Sequence, residues 1–135
     1  DIMQEGFIRV FDYIAQFKFE GSFEGWMRRV FVSVATRHAT KRKINFSDLD
    51  VADSDINTID PSVVSKLSED EIHRMIRMLP EGYRLVFNLN IIEGYSHEEI
   101  GNILGIQAST SRTQLVKARR MLQSFILKQF NAVIV

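Results

Sequence analysis

The sequence predicts an all-α protein built as two small helical domains joined by an acidic linker. Three observations carry this. Apolar residues recur at i, i+3 and i+4 in several stretches, and no stretch sustains the alternation of a strand. The only two prolines stand at 61 and 80, and Gly21, Gly94 and Gly105 fall where periodic stretches end. Between the periodic stretches, residues 44–60 lose the period and hold five Asp with no Lys or Arg, which reads as a linker. The expected division is therefore 1–43, 44–60 and 61–135.

Each element has its own signal. From Ile2 to Phe17, the residues Ile2, Gly6, Phe7, Val10, Phe11 and Ile14 form one helical stripe. Lys18–Ser22 is a short connection. The next helix is the most regular, with Phe23, Trp26, Met27, Val30, Phe31, Val34 and Ala35 at helical spacing and Trp26 expected in the core. Its other side carries Arg29, Ser33, Thr36, Arg37, Thr40 and Lys41 and ends in Lys41-Arg42-Lys43. Beyond the linker, Pro61 suits the first turn of a helix. Val64, Leu67, Ile72, Met75, Ile76 and Leu79 supply its apolar positions, with a break near Ser68. Pro80 stops that run and starts another, Glu81 to Glu93, which Gly94 ends. Phe130 to Val135 is an apolar tail, either packed or exposed.

The stretch 94–122 is the most informative. Ser96 followed by Glu99 is a capping box. Ile100, Ile103 and Leu104 form an inward stripe, and Gly105 sits where a left-handed residue would end the helix. Gly101 lets a second helix cross closely. In that second helix Ser111, Leu115, Ala118, Leu122 and Phe125 fall on one side. Ser109, Thr113, Val116, Lys117 and Arg120 point the other way, with Arg112 and Arg119 on the flank. Ser109 is also the candidate cap of this helix. A capped helix, a glycine turn and a second helix carrying hydroxyls, a small apolar group and cations give the layout of a helix-turn-helix that reads DNA. The bland alternative, a solvated basic face of any bundle, does not account for the first helix and the turn.

Composition narrows the class further. The formal net charge is zero, but it is segregated: residues 1–43 carry +3, 44–72 carry −7, 73–95 carry +1 and 96–135 carry +3. Two weakly basic blocks around an acidic belt point to a polyelectrolyte partner. The absence of Cys excludes disulfides and thiolate metal sites, and His38, His73 and His97 lack ligand spacing. No apolar run approaches the ~20 residues of a membrane span, and no signal-peptide pattern opens the chain. There is no Gly-rich phosphate loop and no nucleophile motif. No enzyme and no cofactor are expected, and the location expected is the cytoplasm.

Three segments together resemble the extracytoplasmic-function group of bacterial RNA polymerase sigma factors. Asp1-Ile-Met-Gln4-Glu5-Gly-Phe7 is similar to the D-x-x-Q-E-x-F helix of that family. Ser22-Phe23-Glu-Gly-Trp26-Met-Arg-Arg29-Val30 is similar to its S-F-x-x-W-L-x-R-I segment. Leu79 to Leu122 is similar to its fourth conserved region, including G-x-S-x-E-E-I. The family's first helix of the second region has no counterpart here.

The resemblance implies a transcription initiation factor. Residues 1–43 would be a partial second region, and 61–135 a fourth region reading the minus-thirty-five element. Asp1, Gln4, Glu5 and Arg9 would dock on the clamp coiled coil of core RNA polymerase. Lys18, Phe19, Arg29, Ser33, Arg37 and Lys41 would meet the minus-ten element of promoter DNA, with Phe19 as a stacking ring. Ser109, Arg112, Thr113, Val116, Lys117, Arg119 and Arg120 would meet the minus-thirty-five element. The acidic linker would thread the basic RNA path of the polymerase or serve as a spacer. An anti-sigma factor is a further implied partner, and no membrane insertion is expected. The alternative function is a helix-turn-helix regulator that is not a sigma factor. It leaves the first two segments unexplained.

Overall fold

The computed structural model describes the backbone of residues 1–46 and 59–134, with side chains up to residue 130. Among the described residues the regular structure is helical throughout, and two compact units emerge, Asp1–Ile44 and Asn45–Val135. Most of the linker, and the side chains of the tail beyond Phe130, lie outside what the structure describes.

The first unit is a helix pair. Helix α1 spans Ile2–Tyr13 and tightens into a 3₁₀ turn at Ile14–Gln16. Asp1 caps it, its carboxylate accepting from Met3 N at 2.9 Å. Helix α2 spans Phe23–Lys41, and Ser22 caps it by accepting from Gly25 N at 3.0 Å. The two helices cross where Gly6 has no side chain, since a Cβ there would overlap the Phe31 ring. Phe7 meets the same ring edge-on with centroids 5.0 Å apart.

Only Gly6 and Val10 of the α1 stripe are buried, and Phe11 remains 72% exposed. Within the described residues of its unit α1 packs chiefly against α2, which covers a narrow strip and leaves the flanking apolar residues open. On α2 the buried residues are Val34 and Thr36. Thr36, expected on the polar side, is buried because its hydroxyl donates to the carbonyl of Val32 at 2.8 Å. Trp26, expected in the core, is half-buried against the rings of Phe17 and Phe23.

The second unit contains five helices among the described residues. Helix α3 is the short Pro61–Val64, with Pro61 in its first turn and Asp60 as its cap. Helix α4, Glu69–Met78, opens with a full Ser68–Glu71 capping box. Helix α5, Glu81–Phe87, follows Pro80 and runs into a π turn at Asn88–Ile92. In that turn Glu93 N reaches back to the carbonyl of Asn88 at 3.0 Å. Helix α6 is His97–Leu104, and helix α7 is Ala108–Ile134. Leu79, Tyr83 and Ala118 form a core cluster with Phe87, Met121, Leu122 and Phe125 packed on it. Helix α7 is the spine, touched by α4, α5 and α6.

One boundary differs from the sequence reading. Asn45 and Phe46 belong to the second unit and not to a free linker. Gln114, almost fully buried at 1% exposure, donates through Nε2 to the carbonyl of Phe46 at 3.1 Å. Gly82 makes room: a Cβ there would come within 3.0 Å of both Phe46 Cδ1 and Gln114 Oε1. Asp60, exposed at the end of the linker, has a structural task as the cap of α3. It accepts from Ser62 N at 2.9 Å, and that bond holds its carboxyl below the ordinary range.

Candidate nucleic-acid interface

The turn between α6 and α7 is built from local chemistry. Ser96 Oγ accepts from Glu99 N at 3.1 Å, and Glu99 Oε1 accepts from Ser96 N at 3.5 Å. Gly105 ends α6 in the left-handed region with φ 69°, where a side chain would be strained. Gly101 allows the close approach expected of it, at the turn and the first residue of α7. Its missing Cβ would sit 2.7 Å from the carbonyl oxygen of Ile106 and 3.5 Å from the N of Ala108, so it makes room for the turn's backbone and the start of α7.

Helix α7 presents Ser109, Arg112, Thr113, Val116 and Arg119 to solvent, while Lys117 and Arg120 are half-buried. Ser111, Gln114, Leu115 and Ala118 face inward and are buried. Ser109 does not cap the helix. It lies inside the first turn and donates to the side-chain oxygen of Gln107 at 3.4 Å. The reason is that α7 already begins at Ala108, with Ser111 N reaching the carbonyl of Gln107 at 3.1 Å.

Two ties cross from α6 to α7. His97 Nδ1 and Ser111 Oγ share a hydrogen bond of 2.8 Å, which satisfies the hydroxyl buried in this seam. Beside it, Arg112 Nη2 donates to Glu98 Oε1 at 2.9 Å. The sequence reading missed His97, Glu98 and Gln114 as partners. A basic residue following an acid by 14 positions across a turn was the one available signal for Glu98.

In the first unit, Arg9, Arg29 and Ser33 line one cleft of about 380 Å³ together with Trp26 and Tyr13. Arg29 and Trp26 also wall a second cleft of about 240 Å³ with Glu20, Gly21 and Ser22. Lys18 is exposed, and Phe19 is 86% exposed with φ 58°, its ring 4.9 Å from that of Phe17. Lys41 is exposed at the end of α2, and Arg37 is half-buried.

Of the residues expected to dock on polymerase, Asp1 and Gln4 are exposed. Glu5 is not an open acid. Its Oε2 bonds His38 Nε2 at 2.6 Å, and its Oε1 lies 3.6 Å from Arg9 Nε and 4.0 Å from Arg37 Nη1. The His38 hydrogen bond is the main reason that its carboxyl is held below the ordinary value of 4.5. Arg9 is thus shared between this cluster and the Trp26 cleft.

Comparison with known proteins matches residues 69–122 to the family described as "Sigma-70, region 4". RNA polymerase sigma-H factor of Pseudomonas aeruginosa is 27% identical, covering 88% of this chain and 68% of its own length. ECF RNA polymerase sigma-E factor of Haemophilus influenzae is 28% identical, covering 93% of this chain and 73% of its own. ECF RNA polymerase sigma factor SigE of Mycolicibacterium smegmatis is 31% identical, and this chain spans about half of it, 51%. Among solved structures, the sigma factor RpoE of Bartonella quintana, crystallised with the anti-sigma factor NepR, shares the fold. Its TM-score is 0.55 at 17% identity, over 95% of this chain and 79% of that one. The capped helix-turn-helix, the preceding helix pair and these relatives agree: the chain is similar to extracytoplasmic-function sigma factors of bacterial RNA polymerase over most of its length, and its residues 69–122 match their region 4.

Proposed function

We propose that this chain binds core RNA polymerase and directs it to promoters through contacts at the minus-ten and minus-thirty-five elements. The single observation that carries this is the exposed side of α7. Arg112, Thr113 and Val116 lie open on a helix whose opposite side is locked into the core by Ser111, Gln114, Leu115 and Ala118. A helix held so firmly can bring a guanidinium, a hydroxyl and a methyl-bearing side chain to base edges in the major groove. Ser109 and Arg119 flank them and suit phosphates, as do the ends of Lys117 and Arg120.

In the first unit, Arg29, Ser33 and Lys41 on α2, with Lys18 and Phe19 on the preceding loop, meet the minus-ten region. Arg37 supports that side from its half-buried position. The exposed Asp1 and Gln4, with Glu5 and Arg9 behind them, face the clamp coiled coil of the polymerase. Such a protein works in the cytoplasm, where polymerase and promoter are, and acts as an initiation factor and not as a catalyst. Among the described residues, no helix is long and apolar enough to cross a membrane. An anti-sigma factor that covers one of these surfaces is the expected inhibitor.

Run-off transcription tests the reading. Core polymerase with the full chain should start at defined sites on a promoter library, and core alone should not. Promoter binding by the chain with no effect on initiation would instead identify a regulator.

A further inference from the structure

We propose that Glu98 is a positioning residue for promoter reading, holding the Arg112 guanidinium in the pose from which it meets a base edge. This rests on the assignment of Arg112 as a base-contacting residue. Arginine reads a guanine through two nitrogens at once, so the plane and direction of its fork decide whether the contact forms. Arg112 lies on the open side of α7, and one of its terminal nitrogens is engaged by Glu98 at 2.9 Å. Because the guanidinium is planar, that bond narrows the directions open to the other nitrogens of the fork.

The backbone of Glu98 is well held. It lies in the first turn of α6, between Ser96 and Glu99 of the capping box. Its neighbour His97 is bonded to Ser111, the residue before Arg112, at 2.8 Å. Consecutive residues of α6 therefore tie consecutive residues of α7. The inner tie ends on a fully buried hydroxyl and fixes the register, while the outer tie lies at the surface and aims a side chain.

The charge of Glu98 argues for selectivity and against bulk affinity. A carboxylate on this side of the helix-turn-helix repels a phosphate backbone, so its presence lowers attraction to any duplex. In water an exposed ion pair contributes little, but it strengthens as an approaching duplex displaces solvent from around it. Glu98 therefore acts where Arg112 reads and costs affinity elsewhere.

The test uses holoenzyme assembled from core polymerase and the full chain, selecting promoters randomised over the minus-thirty-five region. Arg112→Ala identifies the base step that this arginine reads. Glu98→Ala should lose about two- to fivefold of the discrimination at that same step, the scale of an exposed ion pair. Other steps and the melting temperature should stay as in the wild type, and retention on unrelated duplex should rise. Glu98→Gln, which keeps an acceptor oxygen for the arginine, should fall between. In an Arg112→Ala background, Glu98→Ala should change nothing further at that step. If Arg112→Ala relaxes a step and Glu98→Ala does not, or if the two losses simply add, the role of Glu98 is overturned while the reading of Arg112 stands. If Arg112→Ala relaxes no step, both are overturned.

Discussion

Gln114, on α7, donates to the main-chain carbonyl of Phe46, 68 positions earlier in the chain, at 3.1 Å. The bond is made by a side chain almost fully removed from water, and it fastens the first residues of the second unit to the same helix that carries the residues proposed to face DNA. Losing it leaves an acceptor without its partner and empties part of a packed site. Gln114→Ala should therefore destabilise the second unit by about 1–3 kcal/mol. A fragment beginning at 45 should also unfold at a higher urea concentration than one beginning at 61. Equal midpoints would mean that the Phe46 contact contributes nothing.

A second prediction separates reading from anchoring on α7. Arg112→Ala should cost about 1–3 kcal/mol at one base step and relax preference there. Arg119→Ala should weaken all sequences alike and flatten the salt dependence by about one ion. Arg119 is a cleaner probe of phosphate contact than Arg120, whose Nε is buried, so that truncation at 120 also disturbs packing. Binding of base-substituted duplexes at two or more salt concentrations distinguishes the two behaviours.

Glu5 makes the helix pair of the first unit sensitive to acid. Its carboxyl is held below 4.5, chiefly by the His38 hydrogen bond and then by the charges of His38, Arg9 and Arg37. A carboxylate with a lowered folded value stabilises the fold above its unfolded value and loses that contribution as pH falls through the folded one. Wild-type melting should thus drop below about pH 4.5, and Glu5→Gln should flatten that part of the curve. Thermal melts from pH 3 to 6 would show whether the two curves converge at the acid end.

The same cluster changes how the polymerase surface is best tested. Glu5→Lys places a fourth basic group beside Arg9, Arg37 and His38, so it should weaken both α1–α2 packing and core binding. Gln4→Lys, on an exposed position one residue away, should lower core affinity with unchanged melting. A pull-down in which Gln4→Lys retains full affinity would remove Gln4 from the docking surface.

Charge in the acidic segment can be separated from its cap. Changing Asp48, Asp50, Asp53 and Asp55 together to Asn keeps length and polarity and removes four negative charges. If those charges engage a basic path on the polymerase, core affinity should fall and lose part of its salt dependence, which acts over ~8–10 Å. Asp60→Asn should have little effect on stability, because Asn caps a helix about as well as Asp. Equal affinity and equal salt slope for the fourfold variant would leave a spacer.

The sequence by itself determined what depends on neighbours along the chain. The Ser96–Glu99 capping box, the stop at Gly105, the Pro61 start and the break at Ser68 are set by residues within one helical turn of each other, so spacing revealed them. The inward stripe of α7 was legible for the same reason: a period of 3.6 residues places Ser111, Leu115 and Ala118 on one side wherever the helix packs. Tertiary structure alone decided which polar groups find each other across long separations. Glu5 meets His38, His97 meets Ser111, Glu98 meets Arg112 and Gln114 meets Phe46, and no local period encodes any of these. It also decided how much of an apolar stripe is covered. Phe7 and Phe11 have the same spacing as a core face, yet within the described residues of its unit α1 packs chiefly against α2, and burial depends on the surface a neighbour offers.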